Sequence, residues 1–264
     1  MTYMEKLEIR MTKSERNRNG EVRNKSSFVI RHSSFVISSA FTLIEMLIVI
    51  AIISILAALI FPVMDAVNKA KIINLTKGEL ANIETGIESY KAKYGVYPPD
   101  SYCPSSAPGN PVYINQLYYE LLGTTFTPAN LNYTTLDGSS TFTNASPANL
   151  LPFFGTNVGG FVNSTKGGGD EGSSAVAFMK GLKSSQIGIV GSGVHILVCS
   201  VPWPKANAYQ PAGSAYPGLN PWRYVSSNPT NNANSFDLWV DVMIGNKTNR
   251  ISNWSAKPQE VGAP

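Results

Sequence analysis

Residues Ala40 to Met64 read AFTLIEMLIVIAIISILAALIFPVM, and the rest of the chain is arranged around them. From Met46 to Phe61 no residue is charged and only Ser54 is polar. With Phe41–Glu45 and Pro62–Met64 added, the stretch reaches the roughly 20 residues that cross ~30 Å of hydrocarbon as a helix. Residues 1–40 hold eight Lys/Arg against four Asp/Glu, which accounts for the whole formal charge of +4. The basic character therefore belongs to the leader and not to a nucleic-acid surface, and no nucleic-acid partner is expected. Lys and Arg on the N-terminal side leave the N-terminus in the cytoplasm and the remainder outside. A tandem echo, SSFVI at Ser26–Ile30 and again at Ser33–Ile37, is too short to span a bilayer.

Three readings of the span compete. A secretory signal would place its small-residue cleavage site after the apolar run, whereas Ser38-Ser39-Ala40 precedes it. An uncleaved anchor accounts for the hydropathy but not for Glu45, because a carboxylate in hydrocarbon costs roughly 2.5–3.5 kcal/mol or more unless it is paired. Cutting between Ala40 and Phe41 would create an α-amino group four residues from Glu45. That cation is the partner an intramembrane carboxylate needs, within one chain or between neighbours.

These 25 residues resemble the class III signal of type IV pilins and type II secretion pseudopilins, with Phe41, Glu45 and Pro62 at the family's Phe, Glu and Pro positions. The resemblance implies that prepilin peptidase cuts between Ala40 and Phe41, that the Phe41 amine is N-methylated, and that Glu45 serves assembly. Ala40 departs from the family's usual Gly before the cut. The overall likeness is greatest to the major pseudopilin of type II secretion. It implies a single-pass protein of the bacterial inner membrane, N-terminus cytoplasmic and head periplasmic, that then enters a pseudopilus. Its partners would be prepilin peptidase, copies of itself, minor pseudopilins, the inner-membrane assembly platform and the lipid bilayer. A type IV pilin for adhesion, motility or DNA uptake, and a membrane-anchored binding protein that never polymerises, remain as alternatives.

Pro62 lacks the N–H that would bond Ala58 and is expected to kink the helix. Beyond it, Val63, Val67, Ala70, Ile73, Leu80, Ile83, Ile87, Tyr90 and Tyr94 recur at three- and four-residue spacing, with Thr76 completing a stripe that faces the head. Gly78 and Gly86 weaken this helix or permit close packing. Gly95 with Pro98-Pro99 stops it, and Glu88–Asp100 resembles the end of the pseudopilin helix.

The expected division is a leader over 1–40, removed on maturation; a transmembrane and polymerisation helix over 41–64; its amphipathic continuation over 65–95; and a head over 96–264. The head includes a loop-rich insertion at about 101–175, with a short helix near Ile114–Leu122 and a mobile loop at Gly167–Ser174. Strands are expected at Val194–Val201, Trp222–Ser226 and Phe236–Ile244. A long helix followed by strands predicts an α+β, pilin-like fold with the helix packed on a C-terminal antiparallel sheet.

Catalysis finds no support. His195 and Cys199 share a strand face but stand roughly 13 Å apart at four-residue strand spacing, and Gly188–Gly193 lacks the context of a nucleophile elbow or dinucleotide loop. No enzyme activity and no resident cofactor are expected. Major pseudopilins hold calcium in a C-terminal loop, but the corresponding Ile244–Ile251 offers Asn246 and Asn249 without a carboxylate, which leaves Asp237 and Asp241 as the nearest calcium ligands. The only cysteines, Cys103 and Cys199, either pair in an oxidising periplasm or remain two small hydrophobes. Trp203, Tyr209, Tyr216 and Trp222, interleaved with prolines, either form a sugar- or protein-binding surface or pack loops over the sheet.

Overall fold

The computed structural model describes residues 42–100, 115–143, 145–146, 150, 153–154, 159–166, 174–191 and 193–262. The leader, Ala40, Phe41, Cys103 and Gly167–Ser173 lie outside the described residues. The chain divides into two compact units, Met1–Ile55 and Leu56–Pro264, with the first helix contributing to both.

That helix, α1 (Leu43–Tyr94), runs for 52 residues, about 78 Å at 1.5 Å per residue. It opens with a reciprocal capping box. The Thr42 N–H donates to Glu45 Oε2 at 2.7 Å, and the Glu45 N–H donates to Thr42 Oγ1 at 3.3 Å. Its backbone stays helical through Pro62. It ends at Gly95, whose φ of +76° suits a residue without a Cβ, and the Gly95 N–H closes on the Lys91 carbonyl at 2.8 Å.

The helix is built of two kinds of sequence. From Leu43 to Leu59 the large apolar side chains are exposed on every side of the helix. In the second unit an apolar stripe is buried: Thr76, Leu80, Ile83, Gly86, Ile87 and Tyr90 all lie inside, with Ile72, Ile73 and Tyr94 at the margin. The stripe begins later than its periodicity suggests, since Val67 and Ala70 are exposed. Periodicity marks a face but does not say where the neighbouring elements begin. Of the two glycines, Gly86 is the close-packed one. A Cβ there would stand 3.0 Å from Met179 Cγ, whereas at Gly78 it would meet nothing within 4 Å.

The remainder is an α+β assembly, as expected. A short helix, α2 (Leu117–Leu122), is followed by β1 (Thr124–Thr127), β2 (Asn132–Thr135), β3 (Thr141–Phe142) and β4 (Ser164–Lys166), which form one sheet in the order β3-β2-β1-β4 with β1 and β4 parallel. β5 (Ile187–Val190) and β6 (Val194–Leu197) form a hairpin. β7 (Arg223–Val225), β8 (Asp237–Ile244), β9 (Lys247–Ser252) and β10 (Ser255–Val261) form an antiparallel sheet in the order β10-β9-β8-β7.

Two expectations are revised. The segment at 101–175 contains α2 and a four-stranded sheet, because its strands are Thr- and Asn-rich and carry little apolar alternation. Ile244–Ile251 is not a loop but the last residue of β8, the turn and most of β9, the second strand of the β8–β9 hairpin, with Gly245 at φ +62°. Leu238, Val240 and Val242 on the inner face of β8 are fully buried in the same core as Ile83, Ile87 and Tyr90 of α1. Helix and sheet therefore bury each other's apolar faces, at ~25 cal/mol per Å² of apolar surface removed from water.

Candidate functional site

Among the described residues, nothing covers the apolar surface of the N-terminal half of α1. Leu43 is 83 % exposed, Ile44 65 %, Ile55 64 % and Leu59 65 %. A helix that is apolar all round belongs in hydrocarbon or among other helices, and this one is long and apolar enough to cross a membrane. Ser54, its lone polar residue between Met46 and Leu59, donates its hydroxyl to the Ile50 carbonyl at 2.7 Å and so presents no unmet donor to an apolar surrounding.

Glu45 is the one ionisable side chain from Leu43 to Leu59, and its geometry is more specific than hydropathy suggests. Oε2 accepts from both the Thr42 N–H at 2.7 Å and the Thr42 hydroxyl at 2.8 Å. The carboxylate is thus folded back over the helix N-terminus, where the aligned peptide dipoles favour negative charge. Thr42 immediately follows Phe41, so the carboxylate lies at the end of the chain that cleavage would create.

The remaining residues singled out in the sequence fall into separate places. Cys199 is buried against Thr76, its Sγ 3.7 Å from Thr76 Oγ1. Burial, with the negative Glu79 nearby, pushes its thiol up to about 12. Glu79 itself is held by the Ser200 N–H at 3.1 Å and by a short bond from the Ser200 hydroxyl. His195 lies elsewhere, stacked on Tyr118 with Nδ1 2.7 Å from Ser140 Oγ. Trp203 and Trp222 are both 1 % exposed, so they pack the interior and form no binding surface.

Asp237 and Asp241 share the outer face of β8, as the even spacing predicts, but each carboxylate already has donors. Asp237 accepts the backbone N–H groups of Thr230, Asn231 and Asn232, each at 2.9 Å. Asp241 takes Arg250 through Nε at 2.8 Å and Nη2 at 3.1 Å, and Arg223 Nη1 lies 3.3 Å from its Oδ2. Among the described residues no three His, Cys, Asp or Glu side chains converge on one point.

One buried carboxylate escaped the sequence reading. Glu120 of α2 is fully buried and ties three segments together. Its Oε1 accepts the Val162 N–H at 2.7 Å, and its Oε2 accepts the Asn163 N–H at 2.9 Å and the Tyr90 hydroxyl of α1 at 3.1 Å. Its only trace in the sequence is an acid within the apolar run LYYELL. Asn163, which begins a glycosylation-type triplet, is also fully buried and donates to the carbonyls of Glu120 and Val176.

Residues 38–61 match a family model described as the prokaryotic N-terminal methylation motif. The match frames the helix start whose geometry is given above. It marks a type IV pilin-like precursor of the kind processed by prepilin peptidase, secretion and pilus subunits alike, and fits a membrane-anchored chain. No curated protein and no solved structure matches the chain.

Proposed function

We propose that the protein is a structural pseudopilin subunit of type II secretion. Prepilin peptidase cuts between Ala40 and Phe41 and methylates the new Phe41 amine. The subunit waits in the inner membrane on α1, then joins copies of itself and minor pseudopilins on the assembly platform. Growth of the pseudopilus moves exported proteins outward. Pro62 bends the helix near the membrane surface. The work is mechanical, with no catalytic residue and no resident cofactor.

The observation that carries this reading is Glu45, the lone carboxylate of the apolar N-terminal half of α1, whose large apolar side chains stay exposed among the described residues. In one chain it satisfies its own helix start. In a filament it accepts the Phe41 amine of a neighbour and so sets the stagger between subunits. The apolar helix then exchanges lipid for neighbouring helices at little hydrophobic cost, and the ion pair selects the register.

Glu45→Ala is the test. The variant inserts and is cut, and intact-mass measurement finds Phe41 as the methylated N-terminus, but filaments vanish from electron micrographs and exoproteins accumulate in the periplasm. Normal filaments from Glu45→Ala would refute the role of Glu45. Residues before Phe41 still attached in the native protein would refute the processing. Normal secretion in a deletion strain that loses a surface pilus would move the protein to the pilus class.

A further inference from the structure

The outer face of the C-terminal sheet carries a second feature that assembly through α1 does not use. In the β7–β9 register, Arg223, Trp239 and Ser252 lie side by side, and Asp241 faces Arg250. Trp254, in the turn between β9 and β10, meets Trp239 with ring centroids 5.6 Å apart at 63°. The Arg250 guanidinium stands 5.9 Å from the Trp239 ring. With Asn228 and Thr230 of the β7–β8 connection, these side chains line a cavity of about 370 Å³. That is at the small end of the ~300–1,000 Å³ range of ligand pockets.

Three properties define what fits. Both tryptophans are half-buried, unlike the interior pair Trp203 and Trp222, so they present ring surface in a concave setting. The charges at the site balance in number: the guanidiniums of Arg223 and Arg250 both pair with Asp241, while Asp237 is held by the Thr230–Asn232 amides, and these contacts fix the polar groups in position. Among the described residues the buried indole Nε1–H of Trp239 meets no hydrogen-bond acceptor, although a buried indole ordinarily has one. An edge-to-face aromatic corner, planar hydrogen-bonding groups and no net charge suit a ligand with an apolar face and a polar rim. A neutral sugar ring is such a ligand, since its C–H face stacks on an indole while its hydroxyls bond to amide and hydroxyl groups. An anion would find the guanidiniums already committed to Asp241, and a cation would find no spare carboxylate.

We infer that this cavity is a binding site for a neutral saccharide of one or two rings, held by Trp239 and Trp254 and oriented by Asn228 and Thr230. The subunit would thereby carry a glycan-recognising face independent of its assembly helix.

Isothermal titration of the full chain in a sugar-free detergent tests this, with glucose, galactose, mannose, N-acetylglucosamine, cellobiose, lactose and diacetylchitobiose as neutral probes and glucuronate as the charged one. Saturable binding of at least one neutral sugar in the millimolar range or tighter is expected. Trp254→Ala should weaken it roughly tenfold or more, and Trp254→Phe, which keeps a ring, by less. Thermal melting should show that both variants remain folded. No saturable binding across the neutral panel, binding of glucuronate alone, or unchanged affinity in a folded Trp254→Ala protein would each overturn the proposal.

Discussion

Glu120 makes the stability of this protein depend on pH in a direction opposite to that of most carboxylates. Burial pushes its carboxyl up to about 7, and the N–H groups of Asn163 and Val162 and the Tyr90 hydroxyl offset only part of that. In the unfolded chain the group returns to its ordinary value near 4.5. The folded protein therefore holds this proton more tightly than the unfolded one. The stabilisation is fully present below pH ~4.5 and is lost as pH rises through about 7, where both states become ionised. A separation of about 2.5 pH units corresponds to roughly 3 kcal/mol, most of it lost between pH 5 and pH 8.

All four tryptophans lie beyond residue 200. Urea unfolding of the full chain in detergent micelles, followed by tryptophan fluorescence, therefore reports loss of the core that Trp222 shares with Tyr90 and with the α2 residues flanking Glu120. Glu84 is also raised, by burial first and then by Glu88, and shifts the slope in the same direction, so Glu120→Gln serves as the control. The variant should lose most of the pH dependence between pH 5 and pH 8. Stability that rises across that range, or a Glu120→Gln protein with an undiminished fall, would refute the assignment.

Three further outcomes are expected. Gly78→Ala should stabilise by about 1 kcal/mol in the same unfolding assay, because its Cβ meets nothing, while Gly86→Ala should show none of that gain because Met179 must move. Asp241→Ala should destabilise by about 3–5 kcal/mol, since it strands the nearly buried Arg223 without its carboxylate, and a change under ~1 kcal/mol would show the cluster to be a surface pair. In reduced native protein at pH 8, Cys199 should resist alkylation and react fully once urea unfolds the chain, as peptide mass mapping would show, because burial keeps the thiol protonated.

What was legible in the sequence is what depends on near neighbours. The apolar run from Met46 to Phe61, Glu45 at its start and the glycine stop at Gly95 are local signals of hydropathy, capping and backbone conformation, and the helix appears where they place it. The same holds for β8, whose inner Leu238, Val240 and Val242 alternate with an outer row. The β1–β4 sheet was hidden because its hydrogen bonds join polar segments up to 40 residues apart, such as Thr124 with Ser164. No periodicity announces such a pairing. Asp237 and Asp241 looked like ligands for a cation because their spacing shows the face they occupy but not their partners. Arg223, Arg250 and the Thr230–Asn232 amides reach them only through strand register and the return of the β7–β8 connection. Glu120 is the same case on another scale, since its donors come from residues 30 and 43 positions away. Sequence by itself thus determined that the chain has an apolar helix with one carboxylate and a head behind it. Only tertiary structure decided which buried charges are paired, where the helix stripe finds its cover, and which tryptophans remain open to a ligand.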